Sequence, residues 1–485
     1  MSSDSKSIVI IGGGVIGLST ACYCARRGHR VMLVDRNPEQ RDGCSFGNAG
    51  MVVPSHFVPL AAPGMVALGL KWMWNPESPF YIKPRLSPEL MSWAWKFMRA
   101  ANSKHVERSA PLIRDLSFAS RACFEEMAEE WGVAAGVSPA VEPGVPPGGT
   151  SVRNSKGLGN SRPGPGGGTP PSTAGGTPAA TDFGLVKKGL VMLCKTQESL
   201  DHEAAYAKQA NELGVPAEVL DAKGLAKLDP DVTMDVVGGV YFPKDCHLSP
   251  DRFMRVLLNE CKRLGVIFSW GNEVQSIRAS RGRIEFVHTA NPVYELSEED
   301  EIASVIAVRG AGADEFVLCG GSWSPNLARD LGLKLPMQAG KGYSLTLNKP
   351  RELPQICSIF TEARVAVTPM GNTLRFGGTM EIAGLNEDIN PVRVQGIIKS
   401  VPKYYPKFTP DDFAGIQPWS GLRPCSPDGL PYLGRTAKFS NLSIATGHAM
   451  MGLSLGPITG KLMAEILSGE KPSIAIDALD PDRYC

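Results

Sequence analysis

The chain has 485 residues, a net charge of +1 and 43% hydrophobic residues. That is enough for a large core and two domains, and so balanced a charge excludes the basic field of a nucleic-acid binder. Its 11 cysteines form no CxxC pair and its seven histidines no HxH or HxxxH pair, which points to reduced cytosolic thiols and no metal site.

Ile8 to Thr20 reads IVIIGGGVIGLST. Four apolar β-formers run into the spacing Gly12-x-Gly14-x-x-Gly17, then a helix-compatible run Leu18 to Arg27, then a strand Arg30 to Val34 ending in Asp35. Strand, tight turn, helix and strand in this order make a dinucleotide site. Gly12 turns the chain, Gly14 lets a pyrophosphate approach backbone, and Gly17 lets the helix pack on the strand. The helix N-terminus offers N–H groups to phosphate. Asp35, 18 positions after Gly17, stands where a carboxylate meets an adenosine ribose. Ile8 to Ala25 has no charge, but its glycines, Ser and Thr argue against a membrane helix, and no small-residue cleavage site marks a signal peptide.

After Arg36, the small residues Ser45, Gly47, Asn48, Ala49 and Gly50 crowd a loop with an apolar exit at Met51, a run suited to close approach by a flat ligand. Pro54 to Trp74 is apolar but broken by prolines 54, 59 and 63, so it is no spanning helix. Leu60 to Trp74 could rest on a bilayer surface, and burial against the core is the expected alternative.

Leu86 to Asn102 and Val106 to Trp131 read as helices, the second with Leu112, Leu116, Ala119, Cys123, Met127 and Trp131 at steps of three and four. Pro143 to Thr181 holds 8 Pro and 11 Gly in 39 residues, and residues 136–181 read as a disordered insertion. Leu200 to Leu213 is a further helix. Ser249-Pro250-Asp251 caps another, Asp251 to Leu264. Val266 to Ile277 reads as strand, bend, strand, and Ile284 to His288 and Glu315 to Leu318 as strands, with Pro292 to Asp300 an exposed loop. Cys319 to Trp323 forms a second strand-to-glycine turn, opening a helix Pro325 to Leu331. Gly342 to Leu347, Arg364 to Pro369 and Thr373 to Gly377 alternate as antiparallel strands. Arg393 to Val401 is helical, Trp419 to Pro431 turn-rich, Leu442 to Ala445 a strand, and Ile458 to Leu467 a closing helix.

The stretches IVIIGGGVIGLSTACYCARRGHRVMLVDR, CSFGNAGM, SPFYIKPRLSPEL, HLSPDRFMRVL, CGGSWS, GKGYSLTL, WSGLRPCSPDGLPYLG and TGHAMMGLSLGPITGKL span the chain outside the insertion. Together they resemble the D-amino acid oxidase superfamily of FAD enzymes, and within it the small-subunit type of bacterial D-amino acid dehydrogenases. The resemblance implies an α/β fold, with a Rossmann-like FAD-binding domain over residues 1–85, 246–336 and 421–485. A second, α+β substrate domain on an antiparallel sheet would cover 86–245 and 337–420.

It also implies roles. Gly12, Gly14, Val15, Ile16, Gly17, Asp35 and Arg36 would hold the ADP half of FAD. Ser45, Asn48, Ala49, Gly50 and Met51 would lie beside the isoalloxazine, and Val274 at the adenine. Gly320, Gly321 and Trp323 would pass the ribityl and pyrophosphate. Gly421, Gly447, His448 and Gly452 would border the flavin, His448 as a hydrogen-bond donor. Arg423 would grip a substrate carboxylate, and Tyr343 would reach the substrate pocket. The structural alternatives are an ion pair for Arg423 and packing for Cys425.

The implied reaction is oxidative deamination of a D-amino acid by hydride transfer from Cα to flavin. The alternatives are a D-hydroxyproline or D-proline dehydrogenase, or a glycine/sarcosine-type oxidase. The implied partners are the amino or imino acid and a quinone or electron-carrier acceptor. The implied location is cytoplasmic, with peripheral contact at the inner face of the membrane as the alternative.

Overall fold

The computed structural model describes residues 5–73, 75, 77–135, 182–295 and 306–485. The 136–181 segment therefore lies outside the described residues. The first sheet has six strands in the order 432–435, 442–446, 315–318, 7–11, 30–34 and 267–269. All neighbours are parallel except the 432–435 edge. Both faces are covered, so its strands read as continuous apolar runs. Ile8 and Ile10 pack toward the helices Val15–Arg26, Pro250–Arg263 and Gly456–Leu467. Val9 and Ile11 pack toward a three-stranded antiparallel sheet, Val274–Ser280, Arg283–Glu295 and Ile306–Ala311.

Two glycines set how closely the helices approach. A Cβ on Gly17 would overlap the carbonyl oxygen of Gly12, and one on Gly460 would overlap the backbone of Ser19. The first and last long helices of this layer therefore touch backbone to backbone.

The second sheet has nine strands. Its core order is Trp419–Cys425, Gln338–Leu347, Thr373–Ile382, Val365–Met370, Cys357–Phe360 and Leu190–Cys194, with 238–242 and 218–221 beyond and Phe80–Ile82 beside Thr373–Ile382. Helix Pro391–Tyr404 covers one face through Val394, Ile397 and Val401.

Several expectations need correction. Trp419–Cys425 is a strand rather than a run of turns, because it completes the ladder beside Gln338–Leu347. The strand Arg283–Glu295 continues through Pro292, where an exposed loop was expected, and 296–305 lie outside the described residues. Ser249 occupies the N-cap, but its hydroxyl makes no capping bond, and Pro250 at the first turn does the work of starting the helix. The apolar helix Met65–Met73 is not buried: Gly69 is its sole buried residue. Helix Ser103–Ala135, assigned by sequence to the substrate half, packs Leu116, Cys123, Met127 and Trp131 into the core of the first sheet. Phe80–Ile82, assigned to the other half, pairs with the second sheet.

Candidate active site

A cavity of about 560 Å³ runs between the two sheets, from the first glycine turn to Arg423 and His448. At one end, the strand Ser7–Ile11 delivers Gly12, whose φ of 113° places it where a side chain is strained. Gly14 lines the cavity, and a Cβ there would meet only the Ser45 hydroxyl, at 3.5 Å. The backbone is thus open to a ligand, not to a protein neighbour.

Asp35 braces this turn. Its carboxylate accepts from the Gly13 N–H at 2.6 Å and from the Asn37 N–H at 2.7 Å. Arg36 stacks over the Trp323 ring at 3.9 Å, joining the end of Arg30–Val34 to the Gly320–Trp323 turn. Val274, Gly320, Gly321 and Trp323 line the same stretch of cavity.

Ser45 lines the cavity near the first glycine turn. Its hydroxyl accepts from the Val15 N–H at 3.0 Å, at the N-terminus of helix Val15–Arg26. That places it at the phosphate end, beside the free N–H groups of the turn. Ile16 and Asn48 also line the cavity. Ala49, Gly50 and Met51 do not: Gly50, at φ 75°, packs on the Leu248 carbonyl, and Met51 pairs with His247. Gly50 and Met51 thereby anchor the loop to residues 247 and 248.

At the other end, three glycines clear one face of the second sheet. A Cβ on Gly342 would overlap the Arg423 guanidinium, one on Gly421 the Trp419 ring, and one on Gly340 the Met380 sulfur. Arg423 therefore lies flat on the strand, with Nη1 donating to the Thr379 carbonyl at 2.7 Å. Thr379 holds a left-handed φ of 70°, a conformation that costs energy and is held by its surroundings. Among the described residues Arg423 has no carboxylate partner, so the ion-pair reading of it fails.

Tyr343 is not brought to the cavity. Strand side chains alternate, so if Gly342 faces the cavity Tyr343 faces away. Its hydroxyl donates to Glu381 Oε2 at 2.6 Å, and its ring joins the core beneath helix Pro391–Tyr404.

His448 and Gly452 complete the cavity, while Gly447, at φ 84°, makes the turn that delivers them. An isolated antiparallel bridge ties His448 to Cys425, the residue after Arg423-Pro424. His448 Nε2 pairs with Thr459 Oγ1 at 3.0 Å, and Nδ1 is buried with no partner. Burial pushes the ring down to about 3, so it is neutral at physiological pH. It can exchange a hydrogen bond with a ligand but cannot offer a positive charge. Burial likewise pushes the Cys425 thiol up to about 12, so it packs as a thiol and is no nucleophile.

Sequence reasoning missed Arg41 and Trp270. Arg41 donates to the Gly13 carbonyl and stacks over Trp270 at 4.2 Å, closing the outer wall of the glycine turn. Nothing in the loop following Asp35 distinguishes this arginine from its neighbours.

A pH dependence follows from the buried imidazoles. Burial lowers His56 and His247 to about 4 and His448 to about 3. Groups depressed in this way contribute stability above their unfolded value of 6.5, and it is lost as pH falls. Asp245, raised to about 7 by burial, acts in the opposite sense, its contribution falling as pH rises. The large depressions of His56, His247 and His448, joined by that of His29, outweigh the raised carboxyls of Asp245, Glu203 and Asp229, so the melting temperature should fall from pH 6.5 towards 4. A flat profile in scanning calorimetry across that window would contradict the assignment.

The fold and this cavity define a flavin-dependent oxidoreductase. The family model described as FAD dependent oxidoreductase, DAO, matches residues 7–140 and 175–466, and the chain belongs to that family. The interruption falls within the Pro/Gly-rich segment. A D-amino acid dehydrogenase of Methylobacterium radiotolerans is 30% identical over 482 residues, covering 98% of this chain and 99% of the relative. One of Bradyrhizobium diazoefficiens is 29% identical over 486 residues, covering 98% of each. Among solved structures, glycine oxidase from Geobacillus kaustophilus superposes with a TM-score of 0.69 at 20% identity, over 99% of each chain. L-proline dehydrogenase from P. horikoshii gives 0.64 at 15% identity, over 99% of this chain and 98% of that one. The cofactor is FAD, and the cavity fits it: an open backbone at Gly14, a second glycine at 321 with nothing near its Cβ position, and an orphaned His448 Nδ1 at the other end.

Proposed function

We propose that this chain oxidises free D-amino acids to 2-oxo acids and ammonia, and passes the electrons to a quinone or an electron carrier at the inner face of the membrane. The single observation that carries the substrate reading is Arg423, an unpaired guanidinium laid on a glycine floor inside the cofactor cavity. Such a fork binds a carboxylate through charge-assisted bonds of about 1.5–3 kcal/mol each. The names of the relatives above agree with it.

Bound FAD supplies the two-electron acceptor for the Cα hydrogen. Gly12, Gly14, Val15, Ile16, Gly17 and Arg36 would hold its ADP half, with Asp35 at the ribose, Val274 at the adenine and Trp323 beside the Gly320–Gly321 turn. Gly320 and Gly321 would pass the ribityl chain. His448 and Gly452 would border the ring.

Arg423 orients the substrate by its carboxylate, which sets which Cα face is presented. Leu422, Pro424, Cys44 and Ala449 share the cavity wall with Arg423, and Asp35, Glu273 and Asp330 line the same cavity. A substrate amine that enters uncharged, having left its proton in water, needs no base from the protein. Loss of the Cα hydrogen with its electron pair leaves the substrate an iminium, which sheds one N–H proton to water as the imine forms, and a water molecule then hydrolyses the imine to the oxo acid and ammonia. With His448 neutral, the backbone N–H groups of 447–452 would be the groups that meet negative charge on the bound ring.

The test is a substrate panel under anaerobic conditions with the yellow holoprotein. D-alanine and other D-amino acids should bleach the flavin absorbance, and L-enantiomers should not. Bleaching by sarcosine or glycine alone would replace the D-amino acid reading with the oxidase alternative. Bleaching by hydroxy-D-proline alone would narrow it to an imino acid dehydrogenase. Comparing oxygen uptake with quinone or dye reduction on the same panel separates the acceptors.

A further inference from the structure

We infer that the helices Met65–Met73 and Pro88–Ala100 form a docking face for an anionic lipid bilayer. The inference deepens the proposed function by assigning the surface that would meet the membrane.

Both helices grow from one small cluster. Gly69 packs on the Phe80 ring, and Phe80 and Ile82 join Leu90, Trp93 and Met380 in a common apolar patch. Trp93 Nε1 donates to the Cys425 carbonyl at 2.9 Å, which fixes the second helix directly behind the strand that carries Arg423. Leu90 and Trp93 are that helix's buried residues.

Its other face is apolar as well. Met91, Trp95 and Met98 recur at steps of four and three and stand exposed, with Leu86 just before the helix and Leu70 on the neighbouring one. Their exposures run from 48% for Met98 to 101% for Leu86. A water-facing stripe of this kind, carrying a tryptophan, is the geometry of an interfacial helix. No helix among the described residues is long and apolar enough to cross a membrane, so the contact would be peripheral.

Charge chooses the occupant. Residues 65–104 carry six Lys or Arg against two Glu, a net +4 within a chain whose total is +1. Lys71, Lys83, Arg99 and Lys104 are exposed around the apolar residues. A two-fold contact between copies would press two such cationic faces together, whereas a bilayer rich in acidic headgroups neutralises the excess. Docking there brings the substrate strand close to the lipid in which a quinone dissolves.

The test is flotation of the full-length holoprotein with vesicles of phosphatidylglycerol and phosphatidylethanolamine, against phosphatidylcholine alone. Wild type should float with the anionic vesicles and stay in solution with the neutral ones. A Met91→Ser/Trp95→Ser/Met98→Ser variant should lose at least about tenfold in partitioning. A Lys83→Gln/Arg99→Gln/Lys104→Gln variant should lose its preference for acidic lipid and its sensitivity to salt. FAD content and dye-linked activity in solution should match wild type in both, since none of these residues touches the cavity. Undiminished flotation of the serine variant would overturn the inference. So would a dimer, seen by light scattering, that the serine substitutions abolish while wild type ignores vesicles. Either result with dye-linked activity intact leaves the enzymatic reading standing; absent activity in wild type strikes that reading instead.

Discussion

Replacing Arg423 by lysine should lower kcat/KM for D-amino acids by about 10²–10³-fold, mostly through KM, while FAD content is unchanged. The magnitude follows from truncating one partner of a desolvated charge pair, which costs about 2–5 kcal/mol. Lysine keeps the charge but loses the fork. Its ammonium cannot lie on Gly342 and still present two parallel donors to a carboxylate. The Thr379 carbonyl, which now accepts from Arg423 Nη1 at 2.7 Å, would compete for the single ammonium. Steady-state kinetics with the dye acceptor reads the change. A variant with wild-type KM would remove Arg423 from substrate binding and leave it as a strut between two strands.

Gly17→Ala and Gly14→Ala should separate folding from cofactor binding. The Gly17 Cβ would overlap the Gly12 carbonyl oxygen, and neither backbone can give way without opening the sheet–helix contact. That variant should lose about 3 kcal/mol or more of stability, beyond ordinary overpacking. It should express poorly even when FAD is supplied. The Gly14 Cβ has room, with the Ser45 hydroxyl its nearest neighbour at 3.5 Å. Gly14→Ala should fold, keep its apoprotein melting temperature within a degree or two, and bind FAD weakly. Fluorescence titration of the apoprotein against thermal unfolding distinguishes the two. Equal stability losses would mean that the turn is packed for protein alone.

The first glycine turn was legible because its chemistry is local. Strand Arg30–Val34, the helix after Gly14 and Asp35 sit where the spacing put them, and the cavity gathers Gly12, Gly14, Asp35, Gly320 and Arg423 from stretches far apart in the chain. What sequence could not place depends on partners. Tyr343 and Gly342 share one strand, and only their neighbours tell which of them meets Arg423 and which joins the core. Trp419–Cys425 carries Gly, Pro and Cys, a composition of turns, and becomes a strand because Gln338–Leu347 offers it an edge. Ser45 sits in the small-residue loop after Arg36, and no local pattern shows that its hydroxyl accepts from the Val15 N–H. Met65–Met73 is as apolar as a core helix, and only the position of its neighbours puts it on the outside.

The order of strands in the first sheet also fixes a sequence in time. Ser7–Ile11 lies between Arg30–Val34 and Glu315–Leu318, and the next strand outward is Leu442–Thr446. The helix after the first glycine turn closes against Gly456–Leu467 through Gly460. During synthesis, the nucleotide-binding turn therefore emerges hundreds of residues before the pieces that brace it. Contacts of such separation form slowly, and a growing chain must wait with its first strand edge unpaired. Flavin binding is thus expected to await synthesis of Glu315–Leu318, Leu442–Thr446 and Gly456–Leu467 rather than of the glycine turn itself.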